Sequence, residues 1–130
     1  MRFAIAALLL VSACSKSEPA KTEEKPVAHA PGPINKYPAK AKEMMAKGAV
    51  VVDVREPDEY AGEHLPQATN IPLGQVDASL PQFEKLTGGD KSKAIVLHCA
   101  RGGRAEQAKA KLEAAGYTNV VNGGGLKDLQ

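Results

Sequence analysis

Apolar residues along this chain come in short runs set between glycines, prolines and charges. Residues 49–54 read Ala-Val-Val-Val-Asp-Val, a β-branched run of the kind found in strands covered on both faces. Only Asp53 breaks it, near the carboxyl end. Residues 94–98 (Ala-Ile-Val-Leu-His) predict a second strand, and residues 117–121 (Tyr-Thr-Asn-Val-Val) a short last one. Helix formers fill the gaps. Residues 38–47 open with Pro38 at a first turn and stop at Gly48. Residues 81–86 predict a short helix with Gly88, Gly89 and Asp90 as its exit turn. Residues 105–115, rich in Ala, Lys, Glu and Gln, run to a stop at Gly116. Met44 and Met45 read as core. Helices alternating with short apolar strands predict an α/β sheet with helices on both faces. Its ligand crevice then lies at the carboxyl ends of the strands. Cys99, Arg55 and the turn Gly123-Gly124-Gly125 fall at such ends.

The first quarter of the chain has a different pattern. Met1-Arg2 is a short positive start, and residues 3–11 are apolar, too short to span a bilayer but of signal-peptide length. Val11-Ser12-Ala13-Cys14 follows and resembles the lipobox of bacterial lipoproteins. That resemblance implies cleavage before Cys14 and lipid on Cys14, which would anchor the protein to a membrane of the cell envelope, facing the periplasm. Ser15 after the cysteine weakly favours the outer membrane. The alternative is an ordinary export signal with a chance cysteine. Residues 14–33 hold Lys, Glu, Pro and Ala with almost no large apolar residue, a disordered tether. His29 lies in it, solvated. The folded domain is expected over residues 34–130, after a signal peptide at 1–13.

Composition narrows the function. Seventeen basic against fifteen acidic residues give a formal charge of +2, and there is no Trp, so no nucleic-acid footprint is visible. Three scattered His and two Cys have no metal-ligand spacing, so neither a metal nor any other cofactor is expected. With lipid on Cys14, Cys99 has no partner for an intramolecular disulfide, and there is no Cys-x-x-Cys.

The chemistry gathers after the second strand, in Cys99-Ala100-Arg101-Gly102-Gly103-Arg104. A loop that opens a helix turns backbone N–H groups toward a common point, where the helix dipole favours negative charge. Gly102 and Gly103 let it curl tightly, and Arg101 and Arg104 add fixed positive charge. A cysteine at the mouth of this cup is favoured as its thiolate, a sulfur nucleophile facing an anion site. The plain alternative is a buried structural cysteine. Alternation along the strand turns His98 away from the side of Cys99, so it takes no base role.

Two separated stretches resemble the rhodanese family. The first runs Asp53-Val54-Arg55-Glu56-Pro57-Asp58-Glu59-Tyr60, then His64-Leu65-Pro66 and Ala68-Thr69-Asn70-Ile71-Pro72; the second is Cys99-x-x-Gly102-x-Arg104. The chain departs from the family pattern at Glu63 and Gln67, and it has no Trp behind Gly123-Gly124-Gly125-Leu126. The resemblance implies a three-layer fold with a mostly parallel central sheet and helices on both faces. It also implies a sulfurtransferase: Cys99 would take the outer sulfur of thiosulfate as a persulfide and pass it to cyanide or a thiol. The backbone of Ala100, Arg101, Gly102, Gly103 and Arg104 would hold that persulfide, with Arg101 and Arg104 drawing in the donor. Asp53 and Arg55 read as supporting residues that bond loop backbone and Glu59, and His64 as a hydrogen-bonding loop residue. Two other readings stand beside this one. A cysteine phosphatase has five residues between Cys and Arg, where this chain has four. A tethered sulfur carrier or partner-binding module would keep the cysteine without turnover.

Overall fold

The computed structural model describes residues 34–130. The expected signal segment, the lipidation site Cys14 and the tether with His29 lie outside the described residues.

The elements run α1 (Pro38–Ala46), β1 (Val50–Asp53), α2 (Pro57–Gly62), β2 (Ala68–Asn70), a 3₁₀ turn (Leu73–Gln75), α3 (Leu80–Thr87), β3 (Ile95–Cys99), α4 (Gly103–Ala114), β4 (Val120–Gly125) and α5 (Leu126–Leu129). The four strands lie in the order β2-β1-β3-β4, all parallel. Parallel strands need both faces covered, and here alternate residues of each strand feed two cores. Val52, Val54, Ile95, Leu97, Cys99 and Val120 face Phe83 of α3 and Ala105, Ala108 and Leu112 of α4. Val51, Val96 and Val121 face the other way, onto Ala41 of α1 and Leu126 and Leu129 of α5, with Met44, Met45 and Tyr60 packed at the margin. Each fully buried Val, Leu, Ile or Phe contributes about 1.5–3 kcal/mol. The expected three-layer α/β architecture is therefore the observed one.

Three of the expected helices form within two residues of their expected bounds, and α1 and α3 stop at Gly48 and Gly88, both left-handed with φ of 89° and 66°. α4 begins earlier than composition suggests, inside the Gly-Gly pair. The last strand is displaced. It was expected at 117–121 with a glycine turn after it, but the glycines belong to β4 and are buried. The reason is packing: a Cβ on Gly123 would stand 3.0 Å from Leu129 and 3.2 Å from Ala41. Only a strand without side chains there lets α1 and α5 close on the sheet. α2, β2 and α5 were not expected at all. α2 is started by Pro57 and by a Glu59 carboxylate that accepts from the Glu56 N–H at 3.0 Å.

β1 sends its next strand to one side of the sheet and has β3 on the other, so the gap between their carboxyl ends is the topological switch point. Asp53 ends β1 there and Cys99 ends β3.

Candidate active site

Ile95 to Cys99 are all buried, so β3 delivers Cys99 rigidly to the sheet edge. Pairing with β4 slips between Leu97 and Cys99, an irregularity that re-aims the last residue of the strand. Four residues later the chain is already helical. Gly102 caps α4 with φ 108°, a left-handed conformation that favours glycine, and its N–H donates to Cys99 Sγ at 2.9 Å. Among the described residues that is the one hydrogen bond to the sulfur; Ala100, Arg101, Gly103 and Arg104 make none to it. Cys99 is 1% exposed and is a free thiol. Behind the loop lies the N-terminus of a twelve-residue helix, whose dipole adds to the field on the sulfur.

Asn122, which the sequence did not single out, fixes this loop. It is fully buried on β4. Its Nδ2 donates to Gly102 O and to Glu106 Oε2, both at 2.9 Å, while its Oδ1 accepts from the Gly124 N–H at 2.9 Å. The available signal was a polar residue inside an apolar run directly before three glycines. Gly125, opposite Cys99 in the register, comes so close that a Cβ on it would meet Ala100 O. Its own N–H donates to Asp128 Oδ2 at 2.8 Å.

Asp53 and Arg55 form a second buried unit at the end of β1. Arg55 Nε and Nη2 donate to the Asp53 carboxylate at 3.0 and 2.7 Å, and Nη2 also reaches Glu63 O at 2.6 Å. The Asp53 carboxylate raises the guanidinium above its ordinary value. Arg55 was expected to bond Glu59 as well. Instead Glu59 holds Arg104, with Nη1 and Nη2 donating to its two oxygens at 2.6 and 2.9 Å. Asp53, two residues away and fully buried, captures Arg55 first. The Arg104 pair and the Glu56 N–H hold the Glu59 carboxyl down at about 2. Arg104 thus ties the first turn of α4 to α2 and does not stand free in the cup. His98 is buried on the face away from Cys99, its Nε2 3.9 Å from Asp53 Oδ2, with both ring nitrogens unbonded. Burial pushes its imidazole below the ordinary value. His64 Nδ1 donates to Tyr60 O at 2.7 Å, and its ring stacks on the Tyr60 ring.

Beside the loop runs an open groove of about 530 Å³, floored by Ala100 and Gly125. Lys36, Arg55, Arg101 and Lys127 line it against Glu63 and Asp128. Lys36 is paired with Asp128 at 3.0 Å. Among the described residues, Arg101 and Lys127 form no ion pair, and both are exposed, so they give the groove a cationic rim. The arrangement suits a small anion approaching a sulfur that is held by a backbone N–H.

Comparison with known proteins bears on this site. A family model for the rhodanese-like domain matches residues 37–129. Thiosulfate sulfurtransferase PspE from Escherichia coli (strain K12) is 40% identical over 78 residues, which is 60% of this chain and 71% of that protein. A tRNA uridine(34) hydroxylase from Sodalis glossinidius is 38% identical over 78 residues, which is 58% of this chain and 22% of that much longer protein. A solved structure described as a rhodanese with anions from E. coli superposes with a TM-score of 0.56 at 38% identity, covering 62% of this chain and 91% of that one.

Proposed function

Because the chain belongs to the rhodanese-like domain family, we propose that it is a sulfurtransferase that carries the outer sulfur of thiosulfate on Cys99 to a thiophilic acceptor. The observation that carries this reading is the Gly102 N–H on Cys99 Sγ at the mouth of α4. In the first half-reaction the Cys99 thiolate attacks the outer sulfur of thiosulfate. A new S–S bond forms, the bond to the sulfonate sulfur breaks, and the electron pair leaves with sulfite. In the second, cyanide or a thiolate attacks the outer sulfur of the persulfide, and Cys99 departs as thiolate. Each step needs a sulfur anion stabilised at one place, which a fixed N–H and a helix N-terminus provide without reorganisation. The cationic rim of Arg101 and Lys127 raises the local concentration of the donor dianion.

The phosphatase reading loses support from the same geometry. That reading asks for a guanidinium turned over the cup, and both Nη atoms of Arg104 are turned to Glu59 instead. The chain, incubated with thiosulfate and cyanide and separately with an aryl phosphate, is expected to yield thiocyanate and no phenol. Phenol release without thiocyanate would overturn the assignment. Cys99 labelled with sulfur but not turning over would point to a carrier.

A further inference from the structure

We infer that Asn122 is a positioning residue for sulfur transfer: it aims the Gly102 N–H at Cys99 by holding the far side of the same glycine. This rests on the sulfurtransferase reading above. Gly102 is the point where the loop turns into α4, and its φ of 108° sets the angle between its N–H, which faces the sulfur, and its carbonyl, which faces β4. That carbonyl accepts from the Glu106 N–H at 3.0 Å within the helix and from Asn122 Nδ2 at 2.9 Å. The second bond is the one that comes from outside the loop and its helix. Space is equally tight, because a Cβ on Gly102 would lie 3.3 Å from Gly124 Cα and 3.6 Å from Asn122 Oδ1. Gly124, also left-handed at φ 92°, is held by the same amide through its N–H.

The orientation of the amide is forced. Both Nδ2 protons face acceptors, Gly102 O and the Glu106 carboxylate, and Oδ1 faces a donor. Turning it over would set oxygen against two oxygens and N–H against N–H. A side chain without this mixed pattern leaves buried groups unpaired. Asn122 never touches the sulfur; its effect passes through Gly102. It also bonds the Glu106 carboxylate at 2.9 Å.

The test uses Asn122→Asp and Asn122→Leu in the full chain and follows the single-turnover rate of sulfur uptake from thiosulfate by intact mass. Rates are divided by the native rate at each pH, Asn122→Leu serves as the control for any change in the sulfur common to both variants, and thermal melts establish that the variants are folded at the assay temperature. At pH 8 both variants are expected to be slower by about ten-fold or more, since a mis-aimed donor loses much of what a missing one would. The carboxyl introduced by Asn122→Asp offers one O–H in place of two N–H, and only when protonated; the half-buried Glu106 can turn to solvent and leave that proton for Gly102 O. Beside the Glu106 carboxylate its titration is displaced upward. The relative rate of that variant is therefore expected to recover as pH falls toward 5, while that of Asn122→Leu stays low. Folded variants that take up sulfur at the native rate, or an Asn122→Asp ratio that is flat with pH, would overturn the role. If Asn122→Leu does not fold, the pH profile of Asn122→Asp decides alone. Absence of uptake by the native chain is a separate result, and it removes the sulfurtransferase reading instead.

Discussion

Arg101 and Arg104 carry the same charge in the same loop but stand in different surroundings. Arg101 is exposed on the rim of the groove; Arg104 is committed to Glu59 and ties α4 to α2. Arg104→Ala is expected to lower kcat/KM for thiosulfate by roughly ten-fold, equivalent to about 1.4 kcal/mol, because the start of α4 loses its tie to α2. Arg101→Ala is expected to cost about three-fold at low salt and almost nothing at high salt, since an exposed steering charge is screened. Rates measured across ionic strength separate the two, and equal losses with equal salt slopes would contradict the assignment. The tie itself is pH-resistant. The Glu59 carboxyl is held at about 2 when folded, below its ordinary 4.5, so its contribution is complete above about 4.5, declines below that and is gone once pH has fallen through about 2. At this scale the sequence shows Cys99 and its glycines plainly, because they act on neighbours a few positions away. It does not show that Arg104 belongs to Glu59 or that Asn122 holds Gly102, since those pairs are made by the fold across 45 and 20 positions.

Among the elements, β4 is the least legible in sequence. Its glycines look like a turn, and they form a buried strand because α1, α5 and the active-site loop all press against its backbone. β2 is illegible in sequence for a related reason: Ala68-Thr69-Asn70 has no apolar run, and its pairing with β1 makes it a strand. β1, β3 and α4 were legible because each carries its pattern within its own residues. The account of β4 makes a direct prediction. Gly125→Ala sets a Cβ against Ala100 O and must push the loop away from Cys99. It is expected to cost about 2 kcal/mol, a fall of roughly 10 °C in Tm, together with most sulfur uptake. Gly74→Ala, with open space around it, is expected to change stability by about 0.5 kcal/mol or less. A thermal melt of each variant checks both, and similar midpoints would contradict the close approach at Gly125.

The whole molecule was the most legible level. Two motifs in the right order and spacing resembled one family, and the parallel sheet with two cores is what that family resemblance implied. Strand order and the switch point between β1 and β3 were not readable, because no local pattern encodes which strands adjoin. Beyond the described residues, we propose that lipid on Cys14 tethers this domain in the cell envelope. Cys14→Ala is expected to abolish incorporation of labelled fatty acid, and incorporation that persists would contradict the anchor. The central claim is that Cys99 carries sulfur covalently between two half-reactions. The most direct measurement is the intact mass of the chain after thiosulfate alone, then after cyanide. The account predicts one added sulfur atom on Cys99, its removal by cyanide as thiocyanate, and neither event in Cys99→Ser, whose hydroxyl no nearby base can ionise. Turnover with no trapped sulfur, or sulfur uptake that survives Cys99→Ser, would contradict it.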